Sequence, residues 1–193
     1  MNFSNMLQPV QIGDMDIRNR IVMPGMGTAF KHVGKHGLDL HKAYYEARAR
    51  GGAGLVIVES TTIDYRVGRN FDEMLAIDDD RLIPGLSEVA EAVKKHGARV
   101  GIQLMHAGHV AKSKLTGVQP VGPSAVTRPG YDSSRELTVS EIAEIVAKFA
   151  RGAERIKQAG FDGVEIHAAH RFLIAQFLSP TWNKREDEYG GSV

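Results

Sequence analysis

Residues 160–180, GFDGVEIHAAHRFLIAQFLSP, show how the chain is built. The apolar run GFDGVEIH ends at His167, and His170 follows after a pair of alanines. Similar runs occur earlier in the chain as NRIVMPGM, GAGLVIVES and ARVGIQLMH. Their Val, Ile, Leu and Met residues are nearly continuous, which is typical of strands buried on both faces of a parallel sheet. The runs therefore predict four buried strands.

Helical patterns separate these runs. Residues 86–93 carry apolar side chains at helical spacing, with Gly97 as a stop signal. Residues 138–159 begin with the capping box T-V-S-E and end before Gly160. Their predicted buried stripe consists of Ile142, Ile145, Val146, Phe149, Ala153 and Ile156. Alternating strands and helices predict a parallel α/β fold.

The remaining segments are shorter or less regular. Residues 39–50 are a weaker helix candidate, and a short apolar segment runs from Phe172 to Leu178. The opening LQPVQIGDMDIRNR alternates around a Gly-Asp turn, which predicts a hairpin before the first strand. Residues 107–136 form a long excursion after the third strand, and loops of this length are often functional.

The strand count indicates part of a larger architecture. A (β/α)₈ barrel needs about 250 residues, whereas this chain has strand–helix units for half of one. We therefore predict an α/β fold, the first half (four βα units) of a (β/α)₈ TIM barrel with an N-terminal hairpin. A complete doubly wound domain is the alternative, but PGMGT lacks the third glycine of the dinucleotide fingerprint.

Composition narrows the class of protein. The 193 residues are 42% hydrophobic and 24% charged, as in ordinary soluble domains. A formal net charge of +1 gives no electrostatic argument for nucleic acid or an anionic membrane as a partner. No apolar run approaches a membrane span, and the N-terminus does not read as a signal peptide, so we expect a cytoplasmic protein. The absence of cysteine excludes thiolate nucleophiles and cysteine metal ligands from the chain.

Function in parallel α/β folds collects at the carboxyl ends of strands. Here small, polar or donor-bearing residues follow each run. Gly25 and Gly27 would let the backbone approach a flat ligand closely. The Gln103 amide offers donors and an acceptor to a heterocycle edge. His167 and His170 could present N–H donors to one carbonyl oxygen and withdraw electrons from a conjugated substrate.

Four motifs of the chain together resemble the Old Yellow Enzyme family of flavin oxidoreductases. They are NRIVMPGMGT, GIQLMHAGH, AGFDGVEIHAAH and QFLSPTWNKREDEYGGS. The resemblance covers essentially the whole chain and is closest to the branch of 2-enoate reductases, 2,4-dienoyl-CoA reductases and bile-acid oxidoreductases. It implies that residues 1–193 are the N-terminal part of an FMN-binding TIM barrel that uses NAD(P)H. The implied partner is a small activated alkene, with FAD and a 4Fe-4S cluster only if a C-terminal part carries them. A homo-oligomer is compatible with the resemblance.

The resemblance also implies roles for single residues. The catalytic pair, His167 and His170, would bind the activating carbonyl oxygen while flavin passes hydride to the β-carbon and an acid protonates the α-carbon. The implied cofactor-binding residues lie at strand ends and are Pro24, Gly25, Met26, Gly27, Ser60 and Gln103. Ser60 would lie near the flavin's pyrimidine edge, and no metal site is implied.

The chain departs from the family at the histidine pair. Family members usually read H-x-x-H-G-Y, in which tyrosine supplies the α-proton, whereas this chain reads H-A-A-H-R-F. Phe172 has no ionisable proton. Arg171 replaces a glycine, so either the backbone needs no positive φ there or the turn differs. We predict that Arg171 and Phe172 contact substrate, with Arg171 meeting a carboxylate or phosphate. The proton source and the reaction direction stay open.

Other functions remain open at this stage. A metal-dependent barrel enzyme could use His106, His109, His167 and His170, although the histidine pairs alone lack a convincing third ligand. An inactive half-barrel is a further alternative. Because phosphate sites of barrels lie after later strands, we expect residues 1–193 alone to bind FMN weakly or not at all.

Overall fold

The computed structural model describes residues 3–30 and 38–191. The described residues belong to two compact units. The first unit consists of the described residues within Met1–Ser60, Asp79–Gln103 and Ala153–Glu165. The second unit consists of the described residues within Thr61–Asp78, Leu104–Gly152 and Ile166–Val193.

Short strands alternate with helices along the chain. The strands are β1 Val10–Ile12, β2 Met15–Ile17, β3 Val22–Met23, β4 Leu55–Thr62, β5 Leu75–Ala76, β6 Arg99–Met105, β7 Val121–Gly122, β8 Arg135–Glu136 and β9 Gly163–Ile166. The helices are α1 Asp39–Arg50, α2 Ile83–Lys94, α3 Ser113–Thr116, α4 Val139–Gln158 and α5 Leu173–Phe177. In the part of the chain described, no helix has both the length and the apolar character needed to cross a membrane.

The main sheet confirms the four predicted strands in chain order, β3-β4-β6-β9. Strands β3 and β4 pair in parallel, with Val22 opposite Leu55 and Met23 opposite Val56. A short strand that the sequence did not predict, β5, pairs with the end of β4. Helices α1, α2 and α4 occupy the connections between successive strands, as the strand–helix alternation predicts.

The prediction of four fully buried strands is wrong for the outer two. Strands β4 and β6 are almost entirely buried, as their apolar runs predict. Strand β9 instead exposes Val164 and Ile166, the latter to 47%. Strand β3 is only two residues long and exposes Val22. Both are edge strands, and Pro24 cannot donate a ladder hydrogen bond that would extend β3.

The predicted helix signals are confirmed where side chains cap the backbone. Thr138 Oγ1 accepts from the Glu141 N–H at 3.2 Å, and Glu141 Oε2 accepts from the Thr138 N–H at 2.9 Å. This reciprocal capping box satisfies two donors at the start of α4. The apolar stripe of α4 is only partly covered, because Val146 is 60% exposed. Val146 lines an open apolar hollow of about 350 Å³ in the second unit.

The other irregular segments have identifiable structure. Strands β1 and β2 form the predicted antiparallel hairpin, and its turn glycine, Gly13, has φ +56°. The long excursion after β6 holds α3, β7 and β8, with β7 and β8 paired in parallel. The charged segment 183–188 contains a buried arginine, Arg185, whose Nη1 donates to Leu137 O at 2.6 Å. Arg185 therefore anchors this segment to the second unit, whereas Lys184, Glu186, Asp187 and Glu188 are exposed.

Candidate functional site

In the first unit, a buried glutamate anchors the loop that follows β3. Glu59, near the end of β4, is 1% exposed. Its Oε2 accepts from the Thr28 N–H at 2.8 Å and from the Tyr45 hydroxyl at 3.1 Å. His41 Nε2 lies 3.5 Å from Glu59 Oε1. Glu59 therefore fixes the backbone directly after the predicted cofactor loop 24–27.

The electrostatics of Glu59 favour its charged form. Burial alone would raise the pKa of this carboxyl, but hydrogen bonds from His41 and Thr28 outweigh burial and lower the pKa. Glu59 is thus a buried carboxylate at neutral pH. Sequence reasoning missed its role, although a glutamate at the end of a continuous apolar run is itself an unusual signal.

A row of polar side chains crosses three neighbouring strands of the first unit. Ser60 Oγ donates to Gln103 Oε1 at 2.5 Å, and Gln103 Nε2 donates to Glu165. The structure therefore brings together two predicted cofactor residues, Ser60 and Gln103. Glu165 was not predicted, although period-two alternation in β9 places it on the face opposite to that of Val164.

The residues of this row fit a flat heterocycle such as FMN. Gln103 uses one N–H and one oxygen lone pair within the row, so its amide keeps one donor and one acceptor position. A Cβ on Gly25 would lie 3.3 Å from Gln103 Nε2, so the bare backbone of the loop packs directly against this amide. Gly27 has open space at its Cβ position. Backbone and amide groups can therefore present hydrogen bonds to one ligand edge.

In the second unit, the predicted catalytic histidines lie together. His170 Nδ1 and His167 Nε2 are 3.1 Å apart, and their rings pack edge to face. The Ala169 N–H donates to His167 Nδ1 at 3.3 Å, which favours the tautomer with a proton on His167 Nε2. His167 is buried against the ring of Phe172, whereas His170 is exposed. A carbonyl oxygen that binds both rings would replace their mutual hydrogen bond.

The backbone at His170 and Arg171 shows whether position 171 adopts the positive φ that favours glycine. His170 has φ +53° and Arg171 has φ +62°, both in the left-handed region. The backbone therefore does adopt the conformation that favours glycine, although this chain has arginine there. Arg171 extends toward Tyr131 and donates from Nη1 to the tyrosine hydroxyl at 2.6 Å. A strained conformation at this position marks it as a candidate functional site.

The strain at Arg171 can be measured. Arg171→Gly is expected to leave the protein about 1 kcal/mol more stable than Arg171→Ala, because both lose the guanidinium and only glycine relaxes the positive φ. Urea unfolding of both variants gives the difference. Equal stabilities would show that the left-handed turn is not present in solution.

Gln176 of α5 braces the histidine turn against the loop after β6. Its Nε2 donates to Arg171 O at 2.6 Å and to Ala107 O at 3.0 Å, and its Oε1 accepts from the His109 N–H at 3.2 Å. The side chain is fully buried. Gly108 makes this close approach possible, since a Cβ there would lie 2.3 Å from Gln176 Oε1.

The close packing of Gln176 against Gly108 predicts that a side chain at position 108 would clash with it. Gly108→Ala is expected to destabilise the protein by about 3 kcal/mol, the combined cost of positive φ and overpacking. Gly117 has a similar φ of +73° with nothing within 4 Å of its Cβ position, so Gly117→Ala isolates the backbone cost of about 1 kcal/mol. Thermal or urea unfolding of both variants checks this, and equal losses would contradict the close packing.

The remaining histidines of the loop after β6 are buried and do not form a metal site. Burial lowers the pKa of His106 to about 4. Burial, with the charges of Arg171 and Arg128, also lowers the pKa of His109 to about 4. His106 Nδ1 accepts from the Gly108 N–H at 3.0 Å. Across residues 3–30 and 38–191, no group of three or more His, Cys, Asp or Glu side chains is arranged to hold a metal ion, so the four-histidine alternative lacks a ligand set.

Sequence comparisons agree with these motifs. The model described as NADH:flavin oxidoreductase / NADH oxidase family matches residues 5–193. NADH oxidase of Thermoanaerobacter brockii is 46% identical over 202 residues, covering 99% of this chain and 30% of that protein. NADPH dehydrogenase of Listeria welshimeri serovar 6b is 44% identical over 194 residues, covering 97% of this chain and 55% of that protein. The chain thus spans about half or less of the length of these relatives.

Solved structures share the fold and confirm the prediction of the first half of a (β/α)₈ barrel. Morphinone reductase in complex with tetrahydroNAD has a TM-score of 0.90 at 33% identity, covering 97% of this chain and 56% of that one. A 2-naphthoyl-CoA reductase complex has a TM-score of 0.91 at 30% identity, covering 99% and 31%. An old yellow enzyme homologue from Zymomonas mobilis has a TM-score of 0.89 at 32% identity, covering 97% and 55%. The chain therefore belongs to the NADH:flavin oxidoreductase / NADH oxidase family, that of Old Yellow Enzyme.

Proposed function

We propose that the whole protein is an FMN-dependent oxidoreductase that transfers hydride between NAD(P)H and an activated C=C bond of a small molecule. The observation that carries this proposal is the contact of His167 with His170 directly after β9. Paired N–H donors on one substrate oxygen stabilise negative charge that develops during hydride transfer. Family membership of the chain supports the same chemistry.

The first unit would contribute the cofactor contacts. The loop 24–27 and the Ser60–Gln103 pair are the groups that would hold the ring of FMN, with Met26 acting through its backbone. When bound, FMN would supply the redox chemistry, whereas the protein supplies orientation and electrostatics. Glu59 would hold the loop in place through the Thr28 N–H. FAD and a 4Fe-4S cluster remain expectations for the whole protein. Residues 1–193 contain no cysteine that could ligate such a cluster.

The histidine pair would select a substrate with a carbonyl conjugated to its alkene. Imidazole rings that share a hydrogen bond can turn to donate to one oxygen and lower the energy of an enolate. Two solved relatives are named for morphinone and for 2-naphthoyl-CoA, both carbonyl compounds. An enone, an enoate or an enoyl thioester therefore fits the proposal. A cytoplasmic location and a homo-oligomer remain expectations.

Tyr131 is our candidate for the missing proton donor. Phe172 cannot supply a proton, but Arg171 donates to the Tyr131 hydroxyl at 2.6 Å and so ties a phenol to the histidine turn. Tyr131→Phe is expected to lower kcat for alkene reduction about 100-fold while flavin reduction by NAD(P)H is unchanged. Phe172→Tyr in that background should restore part of the rate. Stopped-flow measurement of the separate half-reactions tests this, and an unchanged rate in Tyr131→Phe would assign the proton to another donor.

The function itself is tested on the purified whole protein. We expect visible flavin absorbance and NAD(P)H-dependent reduction of 2-cyclohexenone under anaerobic conditions. Protein that shows no flavin absorbance and takes up no added FMN would contradict the proposal. Residues 1–193 alone are expected to bind FMN weakly, and tight stoichiometric binding would overturn that expectation.

A further inference from the structure

Five side chains of the second unit form a cationic and aromatic cluster around the histidine turn. We call it the arginine–aromatic cluster, and its members are His109, Arg128, Tyr131, Arg171 and Trp182. The Arg128 guanidinium lies 4.5 Å from the centre of the Trp182 ring, and Arg171 lies 5.8 Å from that of Tyr131. The His109 ring is 4.4 Å from Trp182 and 6.3 Å from Tyr131. Aromatic rings therefore hold both guanidinium groups in place.

The positive charges of the cluster are not neutralised by carboxylates. Among the residues that the structure describes, neither Arg128 nor Arg171 has an acidic group within 4.0 Å. Both side chains are exposed, and within residues 3–30 and 38–191 the Arg171 guanidinium donates to the Tyr131 hydroxyl alone. Burial is the main cause of the lowered pKa of His109, and the charges of Arg171 and Arg128 lower it further. Two such guanidinium groups can bind an anionic oxygen group, such as a carboxylate or a phosphate, through several N–H donors.

The buried ring of His109 gives a second, independent observation that points to a ligand. It is 2% exposed, and both of its ring nitrogens lack a hydrogen-bond partner among the described residues. Buried polar side chains are ordinarily hydrogen-bonded, so an unpartnered imidazole beside two unpaired guanidinium groups indicates a polar group that is supplied by a ligand. Arg171 also holds its strained backbone conformation at this place.

We propose that the arginine–aromatic cluster binds an anionic oxygen group, a carboxylate or a phosphate, that the alkene substrate carries apart from its activating carbonyl. The cluster and the histidine pair would then recognise two separate parts of one substrate. This assignment of the ligand as substrate rests on the proposed function, whereas the anion site itself does not. The cluster favours acidic alkenes over neutral ones of the same size.

Trp182 provides a direct test on residues 1–193, because they contain a single tryptophan. Its fluorescence is titrated with hexanoate, with the neutral isostere hexanamide and with inorganic phosphate, without flavin or alkene. We expect a saturable change with at least one anion and none with hexanamide. A response to hexanoate alone assigns the site to a carboxylate, and a response to phosphate alone assigns it to a phosphate ester. No saturable response, or an equal response to hexanamide, would overturn the proposal.

Matched arginine variants show whether the cluster carries the effect. Arg128→Gln and Arg171→Gln should each weaken anion binding at least tenfold. Arg66→Gln removes another exposed arginine of the same unit and should leave binding unchanged. Binding that survives in both cluster variants would place the anion elsewhere and refute the site.

A kinetic comparison on the whole protein tests the identity of the ligand. Arg128→Gln is expected to raise KM about tenfold for an acidic alkene, with kcat and the KM for its amide unchanged. The KM values for NADH and NADPH, which differ by one phosphate, should also be unchanged. A rise confined to NADPH would assign the cluster to the electron donor and refute the substrate assignment. Because the fluorescence titration needs no turnover, its result stands apart from any failure of the proposed enzyme activity.

Discussion

Replacing His167 by alanine in the whole protein is expected to lower kcat for alkene reduction by about 100- to 1,000-fold, the usual cost of losing one donor to a developing oxyanion. His167 is buried, contacts His170 at 3.1 Å and packs on Phe172, so its loss also removes the partner that orients the exposed ring. The rate of flavin reduction by NAD(P)H should change far less, because that step needs no substrate oxyanion. Stopped-flow absorbance separates the two steps.

Conservative and remote substitutions sharpen this prediction. His167→Asn keeps an N–H donor and should retain more activity than His167→Ala. His96, which pairs with Glu46 at 3.1 Å in the first unit, is a matched control, and His96→Ala should leave kcat within about twofold. If His167→Ala reduced the alkene at the normal rate, the histidine pair would have no role in activating the carbonyl.

The sequence predicted most of the strand–helix order because its signals are local. Continuous apolar runs located the strands, and Thr138 with Glu141 located the start of α4. The predicted burial of the outer strands was wrong, because burial depends on neighbouring elements that a local pattern does not reveal. Ile166 of β9, which is exposed, is an example. The two-residue strand β5 carries too little pattern to be predicted.

The residues of the candidate site were likewise predicted where the signal is local in the sequence, and missed where it depends on contacts between distant positions. Ser60, Gln103, His167 and His170 were predicted from strand ends, and the structure pairs Ser60 with Gln103 and His167 with His170. Their exact roles stay predictions. Glu59 and Gln176 were missed because most of their contacts are with residues 14 to 69 positions away. Tyr131 was likewise invisible, since only the fold brings it to Arg171, 40 positions later.

Glu59→Gln is expected to destabilise the protein by about 3 kcal/mol, since breaking a buried charged network typically costs 3–5 kcal/mol. The carboxylate accepts from Thr28 and Tyr45, and the amide of glutamine can replace only part of these bonds. Glu88→Gln is the matched control, because Glu88 pairs with Lys42 at the surface at 3.0 Å. That exposed pair is expected to contribute less than about 1 kcal/mol. Urea unfolding of both variants at pH 7 measures the difference.

The pH dependence of the same variants identifies the charge as the cause. The pKa of Glu59 is lowered in the folded protein from an ordinary value of 4.5, so the unfolded chain takes up a proton first as the pH falls. Its stabilising contribution is therefore complete above about pH 5 and is lost as the pH falls through the lowered pKa. The stability gap between the natural protein and Glu59→Gln should narrow in acid. If the difference in the free energy of unfolding stayed constant down to pH 3, the charge of Glu59 would not be the cause of its stabilising effect on the loop 24–27.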